Sequence, residues 1–252
     1  MIEIFILSIV QGITEFLPIS SSSHLILFSE LLNFKNQGLV IDVSLHIGSF
    51  FAVIAYFYKE IIDFYENKIL FFKVIISSLP VMLIGFVLVK TNYIDEIRNI
   101  ETIAWSTIIF GIILYISDKF ELEKNIKNDL NFKSIILIGA LQVLSLIPGV
   151  SRSGIAITAA RFLKFKRIEA AKISFLLSIP ILAAVSFFGL KDIISSGNSI
   201  FTKLNLIAIS LSFLFSIITI KFLLSFINKF SLNLFVYYRV LLGFILLGLA
   251  YL

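Results

Sequence analysis

Six apolar stretches, each close to the length that crosses a membrane, constrain the fold of this chain most strongly. A helix needs about 20 mainly apolar residues to cross a hydrocarbon core of roughly 30 Å. The stretches are residues 39–58, 69–89, 103–117, 173–190, 206–224 and 234–251, and the third is short enough to extend at either end. They are apolar on all sides, which is typical of helices in lipid. The sequence therefore predicts an all-α polytopic membrane protein with six transmembrane helices.

Composition supports this prediction and excludes several kinds of site. The mean hydropathy is +1.03 and charged residues make up 15% of the chain, against roughly 25% in soluble domains. The net charge of +5 is spread out without a basic run. This argues against a nucleic-acid partner and for contact with membrane lipids. The chain has no cysteine, which excludes disulfides, thiolate nucleophiles and cysteine metal sites.

Two further apolar regions are broken by polar residues. Residues 2–17 stop at a break over 18–23 and resume at 24–32, and residues 134–147 stop at a break over 148–154 and resume at 155–163. The arm after each break is too short to cross a bilayer. Non-helical backbone at membrane depth is tolerated only where protein or a water-filled cavity satisfies it. Each region therefore predicts a re-entrant helix–loop–helix pair.

The two breaks resemble each other and indicate an internal repeat. An offset of 131 residues relates Gln11 to Gln142, Ser20 to Ser151 and Ser22 to Ser153. Helix breaks at matching places in two halves are typical of a site near the bilayer midplane. The prediction is a single membrane domain over 1–252, made of halves 1–117 and 134–252 and a cytoplasmic linker over 118–133.

The placement of Lys and Arg favours an inverted repeat. If the N-terminus is outside, 13 of these residues fall in inside segments and 5 in outside segments, as the positive-inside rule requires. The inside segments are residues 59–73, 119–133, 164–172 and 221–229, and the outside ones lie near Lys35, over 90–98 and over 191–203. In this orientation the two broken pairs enter from opposite faces, so that their loops meet near the bilayer centre.

Glu15 is the first candidate functional residue, because a carboxylate at membrane depth costs roughly 3 kcal/mol on insertion scales. Gln11 lies four residues earlier and therefore on the same helical face. Their oxygens suit a hard divalent cation such as Mg²⁺ or Ca²⁺. The structural alternative is a buried carboxylate that only bonds the neighbouring serines.

His24 follows four serines, Ser20–Ser23, and adds a group that can act as base, acid or nucleophile near neutral pH. With Ser20, Ser21 and Glu15 it resembles a nucleophile–base–orienter set. A lone histidine is more often structural, and serines also cap helices, so that Ser22 or Ser23 could cap an arm beginning at His24.

Arg152 is the most informative residue of the second break, because its planar fork binds phosphate in a bidentate way. We expect Gly149 and Gly154 to let the backbone approach a ligand and Ser151 and Ser153 to donate to phosphate. An arm beginning near Gly154 would aim its amides at an anion. The alternative is an arginine that pairs with Glu15, and both can hold in the resting state.

The other polar residues carry weaker signals. Asp42 and His46 lie four residues apart and could line the same cavity, although two ligands are a nonspecific sign of a metal. Arg161 and Arg239 are expected to reach lipid phosphate with long side chains. Trp105 fits an interface anchor.

At this point the sequence resembles the undecaprenyl-diphosphatase family, the bacterial bacitracin-resistance phosphatases. Residues 11–24, QGITEFLPISSSSH, match its first signature, and residues 148–156, PGVSRSGIA, match its second. Ser23 replaces a usual Gly and Ala156 replaces an expected Thr, whereas Gln11 is an accepted alternative to Glu. Further similarity extends the match over nearly the whole chain, at residues 45–48, 175–180 and 238–239.

The resemblance implies hydrolysis of undecaprenyl diphosphate to the monophosphate and inorganic phosphate with a divalent cation. It also implies a bacterial inner-membrane location with the site open to the outer face. Our hypothesis is that Glu15 and Gln11 hold the metal, and that Arg152, Ser20, Ser151 and Ser153 bind phosphate. Whether Ser21 or His24 attacks stays open, as does a homodimeric assembly.

Two other functions compete. An inverted repeat with broken helices is also a transporter architecture, and a polyprenyl-phosphate flippase could use the same anion-binding loops. A phospholipid-modifying enzyme with another head group is the third candidate. The cluster of Glu15, Ser21 and His24 favours an enzyme over a carrier, because transport alone needs neither nucleophile nor base.

Overall fold

The computed structural model describes residues 1–32, 38–66, 68–91, 97–120, 123–195 and 202–251. Within these ranges the chain folds into twelve helices, with one isolated backbone bridge between Lys124 and Phe165. The helices are α1 Ile2–Thr14, α2 Ser21–Leu32, α3 Leu39–Tyr56, α4 Tyr58–Glu66, α5 Lys68–Lys90, α6 Ile100–Asp118, α7 Ile126–Asp129, α8 Phe132–Gln142, α9 Arg152–Phe162, α10 Arg167–Ser195, α11 Lys203–Lys229 and α12 Asn233–Tyr251. A 3₁₀ turn, Val143–Leu146, follows α8.

Six of the helices are long and apolar enough to cross a membrane, namely α3, α5, α6, α10, α11 and α12. They confirm the predicted all-α polytopic membrane protein. Several extend beyond the apolar stretches because polar residues begin them. Asn99 accepts a hydrogen bond from the Thr102 amide at the start of α6, and Thr202 does the same for Asn205 at the start of α11. Large apolar side chains such as Leu83 and Phe187 point outward, which suits a lipid surrounding.

The two broken pairs are α1–α2 and α8–α9. We call residues 15–20 the first loop and residues 147–151 the second loop. Both second arms begin three residues before the predicted positions 24 and 155, at Ser21 and Arg152. The polar residues counted as breaks form the first helical turn instead, where polar side chains can satisfy free backbone amides. The expected caps, Ser22 and Ser23, lie inside α2.

Helices of each half pack against helices of the other half. Helix α1 packs against α11, and its counterpart α8 packs against α5. Helix α3 packs against its counterpart α10, and α6 packs against its counterpart α12. This is the pattern that two repeats related by a twofold axis produce. The boundaries 1–117 and 134–252 stay a prediction, and Lys35, together with parts of the segments 119–133 and 191–203, lies outside the described residues.

The carboxylate of Asp118 joins the end of α6 to three other segments near the linker. Arg161 Nε donates to Asp118 Oδ1 at 3.1 Å, and Arg167 Nε donates to the same oxygen at 2.8 Å. The backbone amide of Leu232 donates to Asp118 Oδ2 at 3.1 Å. Arg161 is fully buried, so the expectation that it reaches lipid phosphate is wrong. Its carboxylate partner is 43 residues away in sequence, so no local sequence pattern predicts the pair.

Candidate active site

The two loops meet at an ion pair between Glu15 and Arg152. Arg152 Nη2 lies 2.8 Å from Glu15 Oε1, and the two side chains are only 12% and 6% exposed. Arg152 Nη1 also donates to the Ser174 carbonyl on α10 at 3.3 Å. A buried pair of this kind leaves an uncompensated charge if either partner is removed. The pairing considered as an alternative to phosphate contact is therefore present in this structure.

The second oxygen of Glu15 accepts two hydrogen bonds from its own half. Ser21 Oγ donates to Glu15 Oε2 at 2.6 Å, and Gln11 Nε2 donates to the same oxygen at 3.1 Å. These contacts place a hydroxyl against a carboxylate that can take its proton. Gln11 Oε1 is buried and has no hydrogen-bond partner among the described residues. It is therefore an oxygen still available to a ligand.

The turn in each loop contains a serine with positive φ. The φ angle is 76° at Ser20 and 72° at Ser151, the positions related by the repeat. This region is unfavourable for residues other than glycine and costs of order 1–3 kcal/mol. In each loop the turn directs the following helix, α2 or α9, so that its first residue, Ser21 or Arg152, faces Glu15.

His24 is held at both ring nitrogens. Nδ1 lies 2.6 Å from the Ser20 carbonyl oxygen, and Nε2 lies 2.6 Å from the hydroxyl oxygen of Tyr238 on α12. A carbonyl oxygen only accepts, so Nδ1 carries a proton, and in the neutral imidazole Nε2 accepts from the Tyr238 hydroxyl. The predicted set of Ser21, His24 and Glu15 is thus divided. Ser21 bonds Glu15, whereas His24 bonds Tyr238, a partner that the sequence analysis did not assign to the site.

The serines predicted to bind phosphate make bonds within the protein. Ser151 Oγ accepts from the Gly154 amide at 3.1 Å and so caps α9. Ser153 Oγ donates to the Leu17 carbonyl at 2.7 Å and so joins the second arm to the first loop. Ser20 Oγ lies 2.9 Å from Ser23 Oγ. Their phosphate contacts stay a prediction, and their hydrogen bonds fix the loops.

Gly149 and Gly154 leave room for protein atoms. A Cβ at Gly149 would overlap Ser106 Oγ on α6, and one at Gly154 would lie 2.9 Å from Arg239 Nη1. Gly149 also has φ of +95°, a conformation that favours glycine. Ser106 Oγ donates to the Pro148 carbonyl beside it. The two glycines therefore allow the second loop to pack closely against α6 and Arg239.

Arg239 binds both loops from α12 and is fully buried. Its guanidinium donates to the Pro18 carbonyl of the first loop at 3.2 Å and to the Gly149 and Val150 carbonyls of the second loop at 2.9 and 3.1 Å. Its Nε donates to the Thr107 carbonyl at 3.2 Å. The expectation that Arg239 reaches lipid phosphate is wrong. An arginine in an apolar segment was the available signal.

A divalent cation fits the donors on the first arm in part. Glu15 supplies a carboxylate and Gln11 an unpartnered amide oxygen, both ligands of Mg²⁺ and Ca²⁺. Among the described residues there is no cluster of three or more His, Cys, Asp and Glu. His46 Nδ1 bonds the Asp42 carbonyl at 2.8 Å, so that pair is held through the backbone. Two protein ligands suit a cation that also takes water and substrate oxygens.

Comparison with known proteins adds independent findings. The family model described as "Bacitracin resistance protein BacA" matches residues 4–245. A protein of Pelagibacter ubique named undecaprenyl-diphosphatase is 51% identical over 99% of this chain and 98% of its own length. Proteins with the same name from Jannaschia and Saccharophagus degradans are 39% and 41% identical and cover 98% and 94% of this chain, or 98% and 93% of their own lengths.

Proposed function

We propose, since this chain belongs to the bacitracin resistance protein BacA family, that it hydrolyses undecaprenyl diphosphate to undecaprenyl phosphate and inorganic phosphate. The product is the lipid carrier that cell-wall synthesis reuses. One observation carries this proposal at the level of the site. A hydroxyl, a carboxylate that accepts from it and a guanidinium paired with that carboxylate form a continuous set, Ser21–Glu15–Arg152.

In the first step Ser21 attacks the terminal phosphorus. A bond forms from Ser21 Oγ to phosphorus, and the bond from that phosphorus to the bridging oxygen breaks. Undecaprenyl phosphate leaves with the electron pair, and the proton of Ser21 passes to Glu15, which already lies 2.6 Å away. This distance supports Ser21 over His24 as the attacking group, because the Nε2 of His24 is occupied by Tyr238.

In the second step water releases the phosphate from Ser21. The bond from water oxygen to phosphorus forms as the bond to Ser21 Oγ breaks, Ser21 recovers its proton from Glu15, and one proton of water passes to a phosphate oxygen. Ser21 and His24 are three residues apart on α2 and so share one helical face. Both ring nitrogens of His24 are hydrogen-bonded within the protein, and its catalytic role stays a prediction.

Arg152 binds the diphosphate oxygens and stabilises their charge in both steps. Its position at the first turn of α9 adds the favourable potential of a helix N-terminus. The guanidinium is paired with the Glu15 carboxylate. Arriving diphosphate competes for Arg152 and frees Glu15 to act as base. The pair thus keeps two buried charges compensated between turnovers.

Glu15 and Gln11 would hold a divalent cation, Mg²⁺ or Ca²⁺. A cation there would neutralise charge on the diphosphate. The carboxylate and the unpartnered amide oxygen of Gln11 support this assignment, and the phosphate oxygens would complete the ligand set.

The protein is a multi-pass membrane protein, and we place it in the bacterial inner membrane with the site open to the outer face. The distribution of Lys and Arg, with 13 in the inside segments and 5 in the outside ones, supports this orientation. A homodimer stays a prediction.

A polyprenyl-phosphate flippase is the second candidate, favoured by the exchanged packing of the two halves. The bonded pair of Ser21 and Glu15 favours hydrolysis, because a carrier needs no activated hydroxyl. Phosphate release from undecaprenyl diphosphate by the purified protein, with and without Mg²⁺, separates the two. Flipping in liposomes without release would reject the phosphatase.

The residues are tested by Glu15→Ala and Arg152→Ala. Each should abolish nearly all phosphate release while the protein still inserts in the membrane and elutes as a single species in detergent. The exposed residues Glu101 and Arg98 provide matched controls, since Glu101→Ala and Arg98→Ala remove the same charges away from the site. Near-normal release by either site variant would refute its assignment.

A further inference from the structure

We infer that Arg239 determines specificity, because its positive charge, which no carboxylate in the described part of the chain neutralises, favours a diphosphate over a single phosphate at the site. The inference rests on the proposed phosphatase function. It gives a physical reason for the site to hold its substrate more tightly than either product, since each product carries one phosphate group.

The guanidinium of Arg239 is fully buried and donates to backbone carbonyls of three segments. Nε donates to Thr107 on α6, Nη1 to Pro18 in the first loop, and Nη2 to Gly149 and Val150 in the second loop, at 2.9 to 3.2 Å. Carbonyl dipoles stabilise a buried cation but leave its net charge in place. Arg239 therefore keeps one full positive charge between the two loops.

The other arginines near the two arms have carboxylate partners. Arg161 is fully buried as well, and its Nε lies 3.1 Å from Asp118 Oδ1. Arg152 pairs with Glu15 at 2.8 Å. Among the described residues no such ion pair reaches Arg239. An uncompensated charge at membrane depth is costly and indicates a function, since neutral donors can also satisfy backbone carbonyls.

The charge lies close to the reacting groups of both loops. Val150, which accepts from Arg239, is two residues before Arg152, and Pro18 is three residues before Ser21. Three residues of chain reach at most about 11 Å. At that separation and an effective dielectric constant of about 20, one unit charge changes the binding constant of another by roughly 10-fold. Arg239 can thus act on a bound anion without touching it.

The charges around the loops favour the more negative ligand. Arg152 and Glu15 balance each other, so Arg239 leaves one positive charge in excess. Its attraction grows with each negative charge of the ligand. A diphosphate carries more negative charge than a single phosphate and gains more from Arg239. Undecaprenyl phosphate and inorganic phosphate gain less, which favours their release after the reaction.

The test separates charge from hydrogen bonding at position 239. Arg239→Lys keeps the charge with fewer donors, and Arg239→Gln keeps an amide donor without the charge. Calorimetry in detergent at one fixed Mg²⁺ concentration measures the Kd for inorganic phosphate and for inorganic pyrophosphate, which the wild type should bind more tightly. We expect Arg239→Gln to weaken phosphate about 10-fold and pyrophosphate about 100-fold. Arg239→Lys should change both by less than about 3-fold, and exposed Arg98→Gln should match wild type.

A second pair of variants tests the charge with Arg239 in place. Thr107 Oγ1 lies 3.4 Å from the Gly149 carbonyl oxygen that accepts from Arg239, so Thr107→Asp would place a carboxylate beside the guanidinium. We expect Thr107→Asp to weaken pyrophosphate more than phosphate. Its matched control, Thr107→Asn, has the same size without the charge and should keep the wild-type preference. This pair decides the question if Arg239→Gln does not elute as a single species.

Three results would overturn the inference. One is a wild type that binds the two anions equally, and another is the same fold change, or none, for both anions in Arg239→Gln and Thr107→Asp. The third is an equal loss in Arg239→Lys and Arg239→Gln, which would assign Arg239 to loop packing alone. All three leave the phosphatase function standing, because that function is rejected only if the wild type releases no phosphate from undecaprenyl diphosphate.

Discussion

The first and second loops have a similar backbone conformation at their turns, but the residues that follow the turns differ in charge. At positions 131 residues apart, Ser20 and Ser151 adopt nearly the same φ, 76° and 72°, and a helix follows each. The next residue is Ser21 in one case and Arg152 in the other. The two halves of the repeat therefore have the same turn conformation but a different side chain directly after the turn. One loop offers a hydroxyl with its carboxylate, and the other offers a cation.

This difference explains why neither loop forms a site alone. Glu15 receives Ser21 and Gln11 from its own half and Arg152 from the other half. The loops are also joined directly, since Ser153 donates to the Leu17 carbonyl. A symmetric backbone thus brings opposite charges to one point, and the sharpest tests change one loop while leaving its counterpart intact.

The largest effect is expected from Arg152→Lys, which keeps the charge of the second loop and removes its planar fork. A lysine offers a point charge that cannot hold phosphate in a bidentate way. We expect kcat/KM for phosphate release to fall on the order of 10³-fold, equivalent to about 4 kcal/mol of transition-state stabilisation. The measurement is phosphate release from undecaprenyl diphosphate in detergent, with exposed Arg98→Lys as the control.

Retention of more than about a tenth of wild-type kcat/KM by Arg152→Lys would show that charge alone suffices at the second loop. The two loops would then differ only in the sign of the charge that they present, and the assignment of Arg152 as a bidentate phosphate ligand would be wrong.

A smaller effect is expected from Gln11→Glu, which adds a charge to the first arm. The new carboxylate would face Glu15, where Gln11 Nε2 now donates at 3.1 Å, and two carboxylates at one point favour a bound cation. We expect the half-saturating Mg²⁺ concentration to fall about 10-fold, or about 1.4 kcal/mol. Mg²⁺ should also raise the thermal midpoint of this variant more than that of wild type.

The repeat supplies the matched control for that variant. Gln142 corresponds to Gln11, but Leu146 stands where Glu15 would correspond. Gln142→Glu should lower stability, since it buries a carboxylate, without increasing the response to Mg²⁺. An unchanged Mg²⁺ titration in Gln11→Glu would argue against a cation on the first arm.

Particular residues show what the sequence could predict. The spans followed from length and hydropathy, and the meeting of Glu15 and Arg152 followed from the offset of 131 residues and the inverted orientation. The roles of Arg161, Arg239 and Tyr238 did not follow. Their partners are Asp118, loop carbonyls and His24, which lie 43 to 221 residues away. Local patterns carry information on backbone conformation and insertion, whereas such pairings depend on how helices pack.

The smallest effect is expected from variants that test the backbone conformation common to the two loops. Glycine is compared with alanine at each position. Ser20→Gly and Ser20→Ala both lose the hydroxyl, but only alanine keeps a Cβ at positive φ. We expect the glycine variant to be more stable by about 1 kcal/mol, and likewise at Ser151. At exposed Ser210, inside α11, glycine should instead be less stable by about 1 kcal/mol. Thermal unfolding in detergent measures all six variants. If the alanine variant were the more stable one at either loop, as is expected at Ser210, the two loops would not have the same positive-φ conformation. The comparison between them would then be wrong.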